Sequence, residues 1–142
     1  MRKILSFLAA ATLMFGAEAM QMNVIKLKPM KAPLWDFKVE VVFAKKMQAD
    51  CNYQFLLGGQ MKEKNSAKFG DYYEFTGGDE VATSLMLCPD DKKRLKEIEY
   101  EFKPILPYTG GASDIKILAP KDVIVKYRLY EKFEEKNAKV EK

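Results

Sequence analysis

The chain has 142 residues, of which 48% are hydrophobic and 31% are charged, and its formal net charge is +4 at pH 7. This length suffices for one domain, and the composition is that of a globular protein. The sequence contains no histidine and only two cysteines. The lack of histidine excludes His-based catalysis. With no histidine and two cysteines, we expect no metal site or cofactor site that depends on these residues as ligands. The small positive charge predicts no surface for nucleic acid.

Residues 1–19 have the layout of a secretory signal peptide. Two basic residues precede an apolar run from Ile4 to Ala17, which is too short to span a bilayer, and small residues follow at the cleavage position. The alternative is an anchor helix that is retained. We expect the mature domain to comprise residues 20–142, with no membrane segment and with a charged tail at 131–142.

Alternation of apolar and polar residues predicts a domain that consists mostly of β-strands. In the last two long segments the alternation is strict: Ile98, Tyr100 and Phe102 share one face, and so do Val123, Val125, Tyr127 and Leu129. The prolines fall between the predicted strands, where a sheet tolerates them. The predicted strands are 37–43, 53–57, 71–75, 97–103, 115–118 and 123–130.

Cys51 and Cys88 are the two cysteines of the chain. In an exported protein an even number of cysteines predicts a disulfide, and only one pairing is available here. The bond would close a loop of about 37 residues and stabilise the fold by roughly 4 kcal/mol in the chain-entropy description. The alternative is a pair of buried free thiols.

The segment from Val81 to Leu87 is apolar but does not alternate as the predicted strands do. It lies between a Gly-Gly-Asp-Glu turn and Cys88-Pro89. One interpretation is an ordinary buried strand. The other is a loop that presents apolar side chains to a partner and is anchored at one end by the predicted disulfide.

Five segments, distributed over most of the chain, carry a family resemblance. They are Asp50-Cys51-Asn52, Leu57-Gly58-Gly59, Asp71 to Phe75, Val81 to Lys93, and Pro120 to Arg128. In this order they resemble the ecotin family, periplasmic inhibitors of trypsin-fold serine proteases, and the likeness runs from about Val24 to Lys132. The resemblance implies an all-β domain, an antiparallel sandwich or barrel-like fold.

The resemblance also implies a reactive loop that a protease reads as it reads a substrate. By matching position the reactive bond is Leu85–Met86, and the reactive loop further contains Ala82, Thr83, Ser84 and Leu87. A second loop, with Asp50 and Asn52 on either side of Cys51, would support the reactive loop from behind.

A two-fold dimer is a further implication of the resemblance. Each C-terminal strand would pair with the other subunit through Val123, Val125, Tyr127 and Leu129. Each protease would then contact the reactive loop of one subunit and a secondary site on the other. The secondary site would comprise two segments: Lys68, Phe69, Gly70 and Asp71, and Tyr108, Thr109, Gly110 and Gly111.

Together these features predict a periplasmic, cofactor-free inhibitor of trypsin-fold serine proteases that is not itself an enzyme. Leu85 favours chymotrypsin- and elastase-type targets over trypsin, because it offers no cation to a carboxylate in the specificity pocket. The alternative is an exported β-rich binding or structural protein without a protease target. Titration against chymotrypsin and elastase distinguishes the two.

Overall fold

The computed structural model describes residues 19–31 and 33–141, and nearly all of the regular structure in these ranges is β-strand. A single 3-10 turn, Leu34–Asp36, precedes the second strand. No helix within the described ranges is long and apolar enough to cross a bilayer. The strands are β1 (Met20–Ile25), β2 (Phe37–Ala49), β3 (Gln54–Leu56), β4 (Gln60–Ser66), β5 (Gly70–Thr76), β6 (Val81–Thr83), β7 (Arg94–Glu99), β8 (Ile105–Pro107), β9 (Ile115–Pro120) and β10 (Ile124–Glu131). The predicted signal peptide, residues 1–19, lies outside the described residues except for Ala19.

The strands form two larger sheets and one small sheet. The first has the order β1-β9-β5-β4, and the second has the order β10-β2-β7, with β8 also paired to β2. The third consists of β3 and β6. All strand pairs are antiparallel except β5 and β9, which run parallel with Tyr73 opposite Ile117. The expected antiparallel arrangement therefore has one parallel exception.

Strand β2 is the centre of the second sheet. Along one edge it pairs with β10, from Ile124 opposite Ala44 to Glu131 opposite Phe37. Along the other edge it pairs first with β8 and then with β7. Both edges are paired, and in the middle of β2, from Val41 to Lys45, consecutive residues are buried rather than alternate ones.

The hydrophobic core lies between the two larger sheets. Phe43 of β2 stacks on Phe75 of β5 with ring centroids 3.8 Å apart, and Tyr100 meets Phe75 edge-on at 5.1 Å. Ile117 of β9 and Val41 of β2 are fully buried in the same cluster. Rings from opposite sheets thus fix the spacing between the layers.

The all-β prediction is confirmed, and five of the six predicted strands lie within one or two residues of an observed strand or inside it. Strand β2 continues six residues beyond the predicted end at Phe43, because its later residues pair with β7. Pro107 and Pro120 do not lie between strands but are the last residues of β8 and β9. Three strands were not predicted, β1, β4 and β8, and β6 lies in the segment that the sequence left open between strand and loop.

The predicted strand 97–103 is displaced, since the observed strand β7 ends at Glu99. Tyr100 still donates its N–H to Phe43 of β2, but the N–H of Glu101 turns away to the carbonyl of Leu56. The chain therefore leaves the β2 edge after Tyr100, although the alternation of apolar side chains continues. Ile98 and Tyr100 are buried, whereas Phe102 is only partly buried.

Two adjacent glycines give a matched test of packing in the turn after β5. A Cβ atom on Gly77 would lie 2.7 Å from Cε1 of Tyr100 and 3.0 Å from Cζ of Phe75, whereas one on Gly78 would meet nothing within 4 Å. We expect Gly77→Ala to lower the free energy of unfolding by about 1–3 kcal/mol, because the core rings must shift. Chemical denaturation measures this, with Gly78→Ala as the control. Equal effects of the two substitutions would contradict the packing argument.

Candidate functional site

The segment after β6 is an exposed loop rather than a buried strand. Regular pairing ends at Thr83, which lies opposite Gln54 of β3. The side chains of Leu85 and Leu87 are then 95% and 102% exposed, and that of Met86 is 61% exposed. Three consecutive apolar side chains are thus held out in water. Of the two interpretations of this segment, the loop is the one found, preceded by a strand of three residues.

Asn52 holds this loop through both polar atoms of its side chain. Its Oδ1 accepts hydrogen bonds from the N–H of Met86 at 2.7 Å and from the hydroxyl of Ser84 at 3.1 Å. Its Nδ2 donates to the carbonyl of Met86 at 3.2 Å. Asn52 is one of only two buried polar or charged residues among those described. A single amide therefore holds the backbone of Met86 after the Leu85–Met86 bond and the side chain of Ser84 before it.

The Cys51–Cys88 disulfide is present, which confirms the predicted pairing. It joins the residue before Asn52 to the residue after Leu87, so the predicted reactive and supporting loops are covalently linked beside the amide contacts. The N–H of Ser84 also donates to the carbonyl of Tyr53 at 2.9 Å, and the N–H of Tyr53 donates to the Ser84 hydroxyl at 3.0 Å. The loop is tied to the supporting segment on both sides of its exposed residues.

Asp50 organises the supporting loop itself. Its carboxylate accepts hydrogen bonds from the Asn52 backbone N–H at 2.9 Å, from the Asn52 amide at 3.1 Å and from Gln54 at 3.1 Å. The two bonds from Asn52, and then the positive charges of Lys96 and Lys93, hold the pKa of Asp50 below its ordinary value. The carboxylate therefore remains ionised and continues to orient the Asn52 side chain at neutral pH.

The hydroxyl of Ser84 has a structural role. It donates to Asn52 and accepts from Tyr53 N–H, so both of its hydrogen-bonding functions serve the loop. The sequence contains no histidine that could activate it as a nucleophile. The loop has the chemistry of a presented peptide rather than that of a catalytic centre.

The first predicted secondary-site segment lies at the tip of the β4–β5 hairpin. The ring of Phe69 meets Tyr72 edge-on at 5.8 Å, and the ammonium of Lys68 lies 5.0 Å from the Phe69 ring centroid. Lys116 of β9 donates to the carbonyl of Phe69 at 2.7 Å. Gly70 has a φ of +68°, which lets the chain turn into β5. The tip is therefore ordered and attached to the first sheet.

The second predicted segment follows β8. Tyr108 is buried: its ring packs on Phe37, and its hydroxyl donates to the carbonyl of Lys28. It supports the loop from inside, so the surface of this segment is formed by Thr109, Gly110 and Gly111. A Cβ on Gly111 would lie 2.6 Å from the carbonyl oxygen of Leu27, and φ there is +77°. Only glycine allows this close approach.

The two predicted segments border a common groove of about 530 Å³, since both Asp71 and Thr109 line it. Sequence reasoning did not find two neighbours of these segments. Lys116 ties the hairpin tip to β9, and Leu34 would contact a Cβ on Gly110 at 3.0 Å. Trp35, next to Leu34, is 79% exposed. Trp35 is the only tryptophan of the chain. Its exposure on the surface was not recognised in the sequence, because apolar residues surround it there.

The predicted dimer strand corresponds to β10, which begins after the buried Val123. Its residues Val125, Tyr127 and Leu129 lie opposite Phe43, Val41 and Val39, all of which are buried. Tyr127 and Leu129 nevertheless remain 44% and 40% exposed. The single chain pairs β10 with its own β2, so exchange of this strand between subunits stays a prediction.

These features define a class: an all-β domain that holds an exposed apolar segment in a fixed position through a disulfide and hydrogen bonds from one buried amide. A family model described as Ecotin matches residues 15–132. Relatives named Ecotin are 34% identical over 97 residues in Serratia proteamaculans strain 568 (67% of this chain, 56% of the relative) and 36% identical over 95 residues in Pseudomonas fluorescens Pf-5 (66% and 60%). An Ecotin of Yersinia enterocolitica is 30% identical over 116 residues, covering 80% of this chain and 68% of the relative.

The chain belongs to the ecotin family, as the sequence resemblance implied. The match spans somewhat more than half the length of the first two curated relatives. Ecotins are a family of protease inhibitors and not of enzymes, in agreement with the expectation drawn from the missing histidine.

The Asn52 clamp leads to a direct prediction. We expect Asn52→Ala to lower the free energy of unfolding by about 1–3 kcal/mol, because the substitution removes the buried amide and leaves its partners on Met86 and Ser84 unsatisfied. Amide hydrogen exchange at Met86 should accelerate, and chemical denaturation reports the loss of stability. Asn137→Ala in the exposed tail is the control. An unchanged exchange rate at Met86 would show that the Asn52 amide is not needed to order the loop.

Proposed function

We propose that this protein inhibits serine proteases of the trypsin fold by presenting the Leu85–Met86 bond in the manner of a substrate. The observation that carries the proposal is an almost fully exposed Leu85 on a backbone that is held on both sides. Such proteases bind an extended segment and place one side chain in a specificity pocket. Leu85 supplies that side chain.

Preorganisation supports tight binding by this loop. A free peptide must lose conformational entropy when a protease orders it, whereas a loop already fixed in shape avoids much of that loss. Here the order comes from Asn52, from the pairing of β6 with β3, and from the Cys51–Cys88 bond. The protease then meets a segment whose backbone needs little further ordering.

The same contacts explain how a substrate-like segment can resist consumption. If the protease attacks the carbonyl of Leu85, the new amino terminus is on Met86, which Asn52 still holds through its side-chain amide. The disulfide retains the following residues, and Ser84 remains bonded to Tyr53 on the acyl side. Because neither fragment can diffuse away, resealing of the bond competes with hydrolysis.

We further propose that the inhibitor acts as a homodimer in the periplasm. The apolar face of β10 is only half covered in the single chain, and a second subunit would cover Tyr127 and Leu129 and pair the open edge. A swapped dimer would make the same β10–β2 register between chains. Residues 1–19 and the disulfide fit an oxidising exported location.

A dimer would let one protease contact two sites. The reactive loop of one subunit would bind the active-site cleft, while the groove between the β4–β5 tip and Thr109 of the other would bind elsewhere on the protease. The second contact becomes intramolecular once the first has formed. Avidity can rise by about 10²–10⁴ in this way without a change in the reactive loop.

Substitution of Leu85 tests the primary site. Leu85→Arg should weaken inhibition of chymotrypsin and elastase by roughly 10- to 200-fold and strengthen inhibition of trypsin, because an apolar pocket loses about 1–3 kcal/mol on misfit. Leu95→Arg adds the same charge at an exposed position outside the loop and serves as the control. Inhibition constants from titration with each protease give the answer.

Two outcomes of that titration would overturn the proposal. Unchanged constants for Leu85→Arg with all three enzymes would remove Leu85 from the primary site. Rapid cleavage of the wild-type protein at Leu85 without inhibition would favour the alternative of an exported binding protein.

A pair of substitutions on β10 tests the dimer. Leu129→Ser removes an apolar side chain from the half-covered face, whereas Tyr130→Ser removes one from the opposite face of the same strand. We expect Leu129→Ser to raise the subunit dissociation constant at least about tenfold, which corresponds to 1.4 kcal/mol. Sedimentation equilibrium measures this constant. A wild-type protein that stays monomeric while inhibiting tightly would contradict the two-site arrangement.

A further inference from the structure

Lys45 is a buried lysine on the core face of β2. It follows Val39, Val41 and Phe43 in the alternation of that strand and is only 5% exposed. Burial of an ammonium is costly unless opposite charges and hydrogen bonds compensate it. Two carboxylates do so: Nζ of Lys45 lies 2.7 Å from Oδ1 of Asp79 and 2.7 Å from Oδ2 of Asp122.

Asp79 belongs to the stem of the reactive loop, the segment 78–80 that leads into β6. The preceding residue, Gly78, accepts a hydrogen bond from the Tyr100 hydroxyl at 2.8 Å. The following residue, Glu80, accepts one from the N–H of Leu57 at 2.8 Å. Three consecutive residues of the stem are thus attached to the body of the domain, and Lys45 makes the only one of these attachments that involves a side-chain charge.

Asp122 belongs to the turn that begins β10. This turn is closed by a hydrogen bond from the N–H of Val123 to the carbonyl of Pro120 at 3.0 Å. Val123 is 2% exposed and anchors the start of the strand in the core. The carboxylate therefore lies where the chain passes from β9 in the first sheet to β10 in the second.

The ammonium is the buried partner of this triad. Its side chain is 6% exposed, against 74% for Asp79 and 55% for Asp122. Burial by itself lowers the pKa of Lys45, but hydrogen bonds to Asp122 and Asp79 outweigh it and leave the pKa raised. Lys45 is accordingly a fixed positive charge. Without it, two anions would face the same buried position.

We propose that Lys45 is a positioning residue that couples the stem of the reactive loop to the root of the C-terminal strand. The coupling rests on the proposed function, because it links the loop that would bind the protease to the strand that would form the dimer. Loss of either carboxylate changes the electrostatic environment of the ammonium and thereby the attachment of the other segment. Subunit association and the order of the reactive loop would then reinforce one another.

Amide hydrogen exchange on the full-length mature protein tests the coupling crosswise. Asp122→Asn should accelerate exchange at the amide of Ser84 in the loop, and Asp79→Asn should accelerate exchange at the amide of Val123, each by about fivefold or more. Each variant leaves one carboxylate beside the ammonium, and circular dichroism checks that it folds. Asp91→Asn, another exposed carboxylate, is the control. If each substitution affects only its own segment, the coupling is overturned.

Substitution of Lys45 provides the second arm. Lys45→Met should accelerate exchange at both amides, Lys45→Arg should restore slow exchange because it keeps the charge, and Lys46→Met on the exposed face should have no effect. If Lys45→Met does not fold, the two aspartate variants and Lys45→Arg still decide the question. Acceleration at both sites by Lys45→Arg equal to that by Lys45→Met would show that packing, not charge, is responsible.

The same variants separate this proposal from the proposed function. In complexes with chymotrypsin, Asp122→Asn should increase the rate of cleavage at Leu85–Met86 at least about fivefold. If the wild-type protein inhibits no protease, the proposed function fails, while the crosswise exchange effects still test the coupling. If the wild-type protein inhibits but the crosswise effects are absent, only the coupling fails.

Discussion

Strand β2 is the constraint on which the rest of the structure depends. It is paired along both edges, and its middle residues from Val41 to Lys45 are all buried, so its register is strongly constrained. A slip of one residue would turn Phe43 out of the core and bring Ala44 into it. Its end at Ala49 leads directly into the supporting loop of Asp50 and Asn52. The position of the candidate site is thereby set by a strand that is paired along both edges.

The site shows how a stable scaffold can hold an unfavourable arrangement. Leu85, Met86 and Leu87 expose apolar surface to water, which contributes nothing to the stability of the free protein. These side chains do not attach the loop to the core. Asn52 and the disulfide beneath the loop hold it in place instead. Such a division leaves the side chains available for a partner while the backbone stays ordered.

Charge is used in two different ways in this domain. On the outer face of the second sheet, Arg128 pairs with Glu40 and Glu99, an exposed network that adds little stability but favours one register of β10. Inside, Lys45 joins two separate segments through one buried cation. The first arrangement aligns neighbouring strands, and the second joins the segment before β6 and the turn before β10 to the same residue of β2.

The sequence by itself determined the all-β class, the disulfide and most of the core strands, because alternation and cysteine count report burial and oxidation locally. It missed β4 because an edge strand with polar side chains, Gln60–Ser66, has no apolar face to reveal it. The alternation of apolar residues from Glu97 predicted a strand that continues to Lys103. The strand ends earlier because the N–H of Glu101 donates to the carbonyl of Leu56, a long-range hydrogen bond that no local pattern encodes. Composition left Val81 to Leu87 undecided between strand and loop, and its family likeness pointed to the loop. The family likeness also implied that the loop of Asp50 and Asn52 lies behind this segment. Only the tertiary structure gave the hydrogen bonds between Met86 and the Asn52 amide and the place of Lys45 between Asp79 and Asp122, because these contacts join residues 34 to 77 positions apart.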